Sequence, residues 1–555
     1  MAQMGGQPVI ILKQGTQRTR GRIAQKNNIA AAKIIAEIVK TTLGPKGMDK
    51  ILVDSLGDVI VTNDGATILD KMDVEHPAAK MMVEVAKSQD DTVGDGTTTA
   101  VILAGELLKR AEELIEQRIH PSTVIAGYKK ALDIALENMD KVAKPLKLED
   151  KETLKKIVMT SLGSKSLGFA AEHIADLAIE AVLGIVEKRD GKLVADKDHI
   201  QIVKKIGKSL LESRLVRGII VDKEVVHAGM PKRVENAKIA LLNSPIEIEK
   251  TEFNAEIRIR DPLKIKAFLD EEAQILKEIV DKLAGVGANV VFCQKGIDDV
   301  AQFFLAKAGI MGVRRVKQSD MEKLSKATGA RIITNFEDLT EKDLGKAGLV
   351  EERKIGEDKM VFVEECDNPK AVSILLRAGL ERQLDEAERA LNDAIMNVIS
   401  LIDNMKYVPG GGATEEALAI IIKKEASKYP GKEQLAMLAF ADTLEMIPRI
   451  LAENAGLEPV EILTELRSRH EKGETSYGLE VFSGKVQDMF KAGIIEPIKV
   501  KENALKSSFE AAAMILRIDD VIAKVRKSTS EGKKEEEEGG VAGGEESFPS
   551  SSSFT

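Results

Sequence analysis

The hydrophobic pattern of this chain changes period along its length, and the change restricts the fold. In the N-terminal part apolar residues recur at helical spacing: Ala32, Ile35, Ile38 and Val39; Met81, Met82, Val85 and Ala86; Leu103, Leu107, Ala111 and Leu114. The helical reading extends past residue 150. From Arg217 the pattern becomes alternating or continuous aliphatic runs, RGIIVDKEVVHAGMP (Arg217–Pro231) and AKIALLNSPIEIEK (Ala237–Lys250), which read as strands. Helical spacing returns in DEAERALNDAI (Asp385–Ile395) and in EQLAMLAFADTLEMIPRILAENAG (Glu433–Gly456), read as nearly continuous helix. The β-rich part is therefore expected to form a domain of its own. A chain of 555 residues has room for roughly three or four domains. With no Trp and 3% aromatic residues, aliphatic and Ala packing must fill the cores.

Several function classes fall away on composition. A net charge of −9 without a basic face speaks against nucleic-acid binding. Cys293 and Cys366 are too few and too far apart for a disulfide framework or a metal site, and six scattered His give no ligand spacing. No segment is apolar enough to span a bilayer, so a cytoplasmic protein is expected. Gly207-Lys208-Ser209 imitates the end of a Walker loop, but Ile202 stands where its first glycine is needed. Gly285-Val286-Gly287 starts like a dinucleotide fingerprint, and Val290 ends the likeness.

The chemistry gathers in loops. GDGTTTA (Gly94–Ala100) lies between two helical patterns and opens the second. Glycines at 94 and 96 allow close backbone approach, and the amides and hydroxyls of Thr97, Thr98 and Thr99 lie where a helix N-terminus favours an anion. Asp95 would repel a phosphate unless a cation lay between them, which suggests Mg²⁺; an acidic cap on an ordinary helix is the alternative. Upstream, residues 1–27 read as extended, with Asn28 capping the first helix, which stops at TTLGPKG (Thr41–Gly47). Two strand-like runs, Ile51–Val53 and Asp58–Thr62, lead to Asn63-Asp64-Gly65, a turn signal. Asp64 could orient a water against a phosphate held near Asp95. In the β-rich part, Asp261-Pro262 starts an amphipathic helix with Ile265, Phe268, Leu269, Leu276, Ile279, Val280 and Leu283 on one stripe. A later helix carries Val300, Phe303, Phe304 and Leu305; two adjacent rings cannot easily share one core, so one is a candidate for exposure.

TTLGPKGMDK (Thr41–Lys50), VTNDGATIL (Val61–Leu69), EHPAAKMMVEVAKSQD (Glu75–Asp90) and GDGTTTAV (Gly94–Val101) together resemble the group II chaperonins, of archaeal type above all. The likeness continues through the C-terminal half. It implies a mixed α and β chaperonin fold in nested order: a helical equatorial ATP-binding domain (1–149 and 404–527), a small α/β intermediate hinge domain (150–216 and 373–403) and a β-rich apical domain (217–372). The apical domain would carry a helical lid protrusion at about 250–285. The Ser/Gly/Glu tail at 528–555 should be disordered. The resemblance further implies ATP and Mg²⁺ as cofactors, unfolded polypeptide as substrate, and two stacked rings, of eight subunits each.

Residue by residue, it implies Leu43, Gly44, Pro45, Lys46, Gly94, Asp95, Gly96, Thr97, Thr98 and Thr99 around the phosphates, with Asp95 on the metal. Gly411 and Gly412, with Gly410, would cradle sugar and base, and Glu496 would bond the ribose. Lys165 would reach the phosphates, and Asp64 and Asp393 would align the attacking water. Val300 and Phe304 would meet unfolded chains. Two departures stand out: Gly163 beside Lys165, and Ala378 and Leu380 where the family has Gly and Thr, a change expected to stiffen a hinge-adjacent turn. A soluble ATPase or kinase acting on a small acceptor is the rival reading. A non-hydrolysing ring member is a second rival, disfavoured because Asp64, Asp95 and Asp393 are all present.

Overall fold

The computed structural model describes residues 16–53, 57–165, 167–248, 262–366 and 369–524. The run Ala255–Ile259, the cap Asp261 and the tail from Lys527 lie outside them. Residues 16–24 and 519–524 form a small unit, in which strand Thr16–Arg20 pairs antiparallel with Asp520–Lys524 and Arg18 bonds Asp520. Among the described residues no helix is long and apolar enough to cross a membrane.

Within residues 25–518 the apolar side chains gather into three main cores. The first joins the two ends of the sequence. Helices Pro77–Val93, Thr97–Glu116 and Pro121–Val142 pack with Ala413–Ala426, Lys432–Leu444 and Ile498–Leu516. Its large members are Leu, Ile and Met, with Tyr128 and Phe440 in edge-to-face contact and Ala at the closest crossings, as the aromatic-poor composition demands. The second core lies between 219 and 371. A mixed sheet runs Met311–Val313, Val290–Cys293, Arg233–Leu242, Gly345–Ile355, Asp358–Glu364, Ile219–Val221, with Ile332–Ile333 also on the Arg233–Leu242 strand. The third core joins helices Lys151–Leu162, Ala171–Ile185 and Glu381–Asn404 over a three-stranded sheet. The fully buried strand Val372–Ala378 is central there, parallel to Ile200–Ile206 and antiparallel to Arg214–Val216.

Two expectations are corrected, and two are refined. The first helix begins at Gly21, not at Asn28, which is 1% exposed mid-helix on the same buried face as Ala32 and Ile35. Strands occur well before Arg217, at Glu187–Arg189, Lys192–Val194, Ile200–Ile206 and Arg214–Val216. Their lysine-rich, half-exposed pattern hides a period of two, and pairing with Val372–Ala378 decides the conformation. The helical run Glu433–Gly456 breaks at the buried Glu445 into Lys432–Leu444 and Met446–Asn454. The amphipathic stripe of helix Pro262–Gly285 divides: Leu276, Val280 and Leu283 pack into the second core, whereas Phe268 and Leu269 face solvent, as does Ile275 outside the stripe.

Candidate active site

Helix Pro77–Val93 ends as the Gly94 N–H bonds Asp90 O, and helix Thr97–Glu116 starts two residues later at Gly96. Gly94 and Gly96 both take left-handed backbone, φ +71° and +75°, so the chain reverses in three residues with Asp95 at the tip. No side chain caps the second helix, which leaves the amides of its first turn without a side-chain acceptor at a positive dipole end. Gly94 has a second duty. A β-carbon there would overlap Met396 Cβ, because helix Glu381–Asn404 lies directly on the turn.

This turn forms part of the wall of a cavity of about 800 Å³. Leu43, Gly44, Pro45, Asp64, Gly94, Asp95, Gly96, Thr97, Thr98, Thr99, Lys165, Asp393, Gly411, Gly412 and Glu496 all line it. Lys46 does not: the turn closed by Gly47 N–H on Gly44 O carries it to the exposed surface. Val300 and Phe304 belong to helix Asp299–Lys307, on the second core. There Val300 and Phe303 are exposed at 42% and 56%, while Phe304 packs against the core, so the outward ring is Phe303.

At one end of the cavity three charged groups from distant segments meet. Lys165 Nζ lies 2.8 Å from Asp393 Oδ2 and 3.5 Å from Asp64 Oδ1, with all three side chains largely buried. Asp64 caps helix Gly65–Lys71, its Oδ2 accepting the N–H and the hydroxyl of Thr67, both at 2.8 Å. Burial opposes its charge, but Lys165 and Thr67 outweigh burial and hold Asp64 below the usual carboxylate range. Asp393 goes the other way: burial, with Asp64 and Asp90 nearby, raises its proton affinity well above normal despite Lys165. Between two carboxylates, Lys165 stays firmly protonated, since their charges outweigh the burial that would lower it. Burial and Asp64 also push Asp90 up to about 6.

Sequence reasoning missed several partners. Asn397, one helical turn beyond Asp393, donates from Nδ2 to Asp95 Oδ2 at 3.0 Å, while Asp95 Oδ1 accepts Gly96 N–H at 2.6 Å. Gln89 Nε2 bonds both Asp95 O (2.8 Å) and Val500 O (3.2 Å). Lys501 lies 2.8 Å from Glu496 Oε2. At the opposite side Leu479 N–H donates to Gly411 O, which fixes hairpin Tyr477–Asp488 against the triple glycine, and Leu479, Val481 and Phe482 give the cavity an apolar flank.

Such a wall suits a magnesium–nucleotide complex. The helix amides at Thr97, Thr98 and Thr99 have no side-chain cap and these residues line the cavity, and a β-carbon on Gly65 would crowd Thr98 Oγ1 at 2.6 Å. Among the described residues no group of three or more His, Cys, Asp or Glu could hold a metal unaided. Mg²⁺ carried by phosphates needs only one or two carboxylates, and Asp95 in the cavity wall would be one.

Comparison with known proteins points the same way. The model of the TCP-1/cpn60 chaperonin family matches residues 35–526. The chain is 59% identical to a thermosome subunit of Pyrococcus horikoshii, over 94% of this chain and 95% of that protein. It is 58% identical to the thermosome subunit alpha of Archaeoglobus fulgidus, over 94% and 96%. Against the thermosome subunit beta of Thermococcus kodakarensis, identity is 56% over 96% and 98%.

Proposed function

The chain belongs to the TCP-1/cpn60 chaperonin family as a group II subunit, an ATP-hydrolysing chaperonin that works in a double-ring cavity on unfolded polypeptides, and we propose how its residues do that work. The observation that carries the proposal is the meeting of Asp64, Lys165 and Asp393 in one buried cluster beside the Gly94–Thr99 turn. Lys165 binds the terminal phosphate. Asp64, held ionised by Thr67 and Lys165, orients the water, and Asp393 takes its proton as the water oxygen attacks the γ-phosphorus and the bond to the β-phosphate oxygen breaks. The raised proton affinity of Asp393, against the lowered one of Asp64, makes Asp393 the better proton acceptor of the two. The proton then passes to solvent as ADP and phosphate leave. Mg²⁺, held by Asp95, would draw off charge developing on the phosphate oxygens. The uncapped amides of Thr97, Thr98 and Thr99 hold the phosphates, and Gly411, Gly412 and Glu496 hold the sugar.

The three cores support a division into an equatorial domain (1–149 and 404–527), an intermediate domain (150–216 and 373–403) and an apical domain (217–372). On that division Lys165 and Asp393 arrive with the intermediate domain and Asp64 with the equatorial one, so chemistry is complete only when the hinge is closed. Exposed Phe268, Leu269 and Ile275 then belong to the lid, and exposed Val300 and Phe303, with Phe304 beneath, to the surface that meets clients. Rings of eight subunits in the cytoplasm complete the reading.

The test is refolding of an aggregation-prone enzyme by the chain purified alone, with Mg²⁺ and ATP, and again as Asp393→Ala. ATP-dependent recovery is expected, lost together with hydrolysis in the variant while nucleotide still binds. Hydrolysis retained in Asp393→Ala would overturn the assignment.

A further inference from the structure

Glu496 does not stand alone in the cavity wall. Lys501, 7% exposed and itself part of the wall, puts Nζ 2.8 Å from Glu496 Oε2 and 2.8 Å from Glu415 Oε1. Glu415 is 3% exposed, in the first turn of helix Ala413–Ala426, directly after the triple glycine. One ammonium therefore bridges the helix that begins at Ile498, the strand Ile495–Pro497 and the first turn of helix Ala413–Ala426. We propose that Lys501 is a positioning residue for sugar recognition: its ammonium holds the Glu496 carboxylate aimed into the cavity, and thereby sets the preference for a ribonucleotide over a deoxyribonucleotide. The inference rests on the reading that Glu496 bonds the ribose.

Without the lysine, two carboxylates from different elements would face each other in a dry wall, and one would take up a proton. Glu496 is the candidate for that proton: burial, with Glu415 and Asp95, raises its proton affinity above the ordinary value even with Lys501 opposing them, and loss of Lys501 raises it further. A neutral carboxyl accepts hydrogen bonds about half as strongly as a carboxylate, and its proton turns one acceptor oxygen into a donor. Lys501 is also rigidly placed. Its neighbour Val500 accepts the Gln89 bond that also reaches Asp95 O, and Val500 Cγ1 packs where a β-carbon on Gly96 would stand, 2.9 Å away. The ammonium is thus fixed relative to the phosphate turn, and through it so is Glu496. An ion pair serving only to hold helices together would affect stability and leave the choice of sugar unchanged.

The experiment measures equilibrium binding and steady-state turnover of the assembled protein with ATP, 2′-deoxy-ATP and 3′-deoxy-ATP. Lys501→Met is expected to weaken ATP binding roughly 10-fold, as loss of a charge-assisted bond implies. Binding of the deoxynucleotide that lacks the bonded hydroxyl should scarcely change, so the ratio falls towards one, with KM raised and kcat kept. Lys501→Arg should restore much of the preference, and Glu415→Gln should leave it intact. Should Lys501→Met fail to assemble, Lys501→Gln, which can still hydrogen-bond both carboxylates but brings no charge, is expected to show the same collapse. Two results overturn the inference, and they differ. If Glu496→Ala abolishes the sugar preference but neither lysine variant does, Lys501 is a structural ion pair. If Glu496→Ala leaves the preference untouched, the ribose reading itself fails and the role of Lys501 fails with it.

Discussion

Glu416 offers a stability test that leaves the chemistry alone. It follows Glu415 on helix Ala413–Ala426 but is fully buried, does not line the cavity, and neither carboxylate oxygen has a hydrogen-bond partner. The nearby cations are engaged elsewhere: Lys423 and Arg467 both bond Glu445, at 2.6 and 3.1 Å. Burial, with Glu445 adding repulsion, pushes Glu416 up to about 7 from an ordinary 4.5. In the folded chain it therefore keeps its proton up to about pH 7, whereas an unfolded chain releases it near 4.5. Between those values the folded state binds more protons, so the contribution of Glu416 is full below pH 4.5 and is lost as pH rises through 7. A shift of this size corresponds to about 3 kcal/mol, most of it between pH 5 and 8. Glu416→Gln has nothing to titrate. Urea unfolding of both proteins across that range should give a steeper fall for the wild type, with the two curves separating by about 3 kcal/mol from acid to alkaline end. Any fixed cost of burying the amide cancels in this comparison of slopes. ATP affinity should be equal in the two proteins. Parallel pH profiles would refute the reasoning, because they would mean that Glu416 is solvated or paired.

Two further predictions concern the turn at Asp95. Gly94→Ala places a methyl against Met396 at a left-handed φ, so helix Glu381–Asn404 must retreat and take Asp393 with it; turnover should fall about 100-fold while the rings still assemble, measured as kcat beside particle size. Asn397→Val removes the donor to Asp95 Oδ2 and should raise the Mg²⁺ concentration needed for tight nucleotide binding roughly 10-fold, read by titrating the metal during ATP-binding measurements, with binding recovered at saturating Mg²⁺.

The phosphate turn was legible because its chemistry is local: glycines, threonines and one aspartate within seven residues predict both the backbone and the ligand. Asp64 stood out by its turn, but Lys165 and Asp393 are single charged residues in ordinary surroundings, and only likeness to a family singled them out. Asn397 carried no signal at all, since it acquires its role from Asp95, 302 positions away. Lys501 carried none either: a lysine shortly after Glu496 is ordinary in sequence, and only the fold brings Glu415 to its other side. The pattern Ile200–Ile206 misled for a related reason. Its lysines obscure the alternation, and the buried strand that organises it, Val372–Ala378, lies far along the chain. Phe303 and Phe304 show the limit of pattern reasoning: that one ring must face outward could be read, but which one depends on how the helix rolls on the second core.

The order of the cores along the chain has a consequence for biosynthesis. Residues of the second core lie between 219 and 371, so that core can close while the ribosome is still extending the chain. The first core draws on 29–139 and then on 408–516, and its helices Pro77–Val93 and Thr97–Glu116 pack on Ile498–Leu516. Those N-terminal helices must therefore wait, with their apolar faces uncovered, until nearly the whole polypeptide has been made. Contacts so distant in sequence close slowly, and exposed helical faces aggregate in the meantime. A newborn copy of this chain thus shows, for the length of its own translation, the kind of surface that the finished assembly exists to shelter.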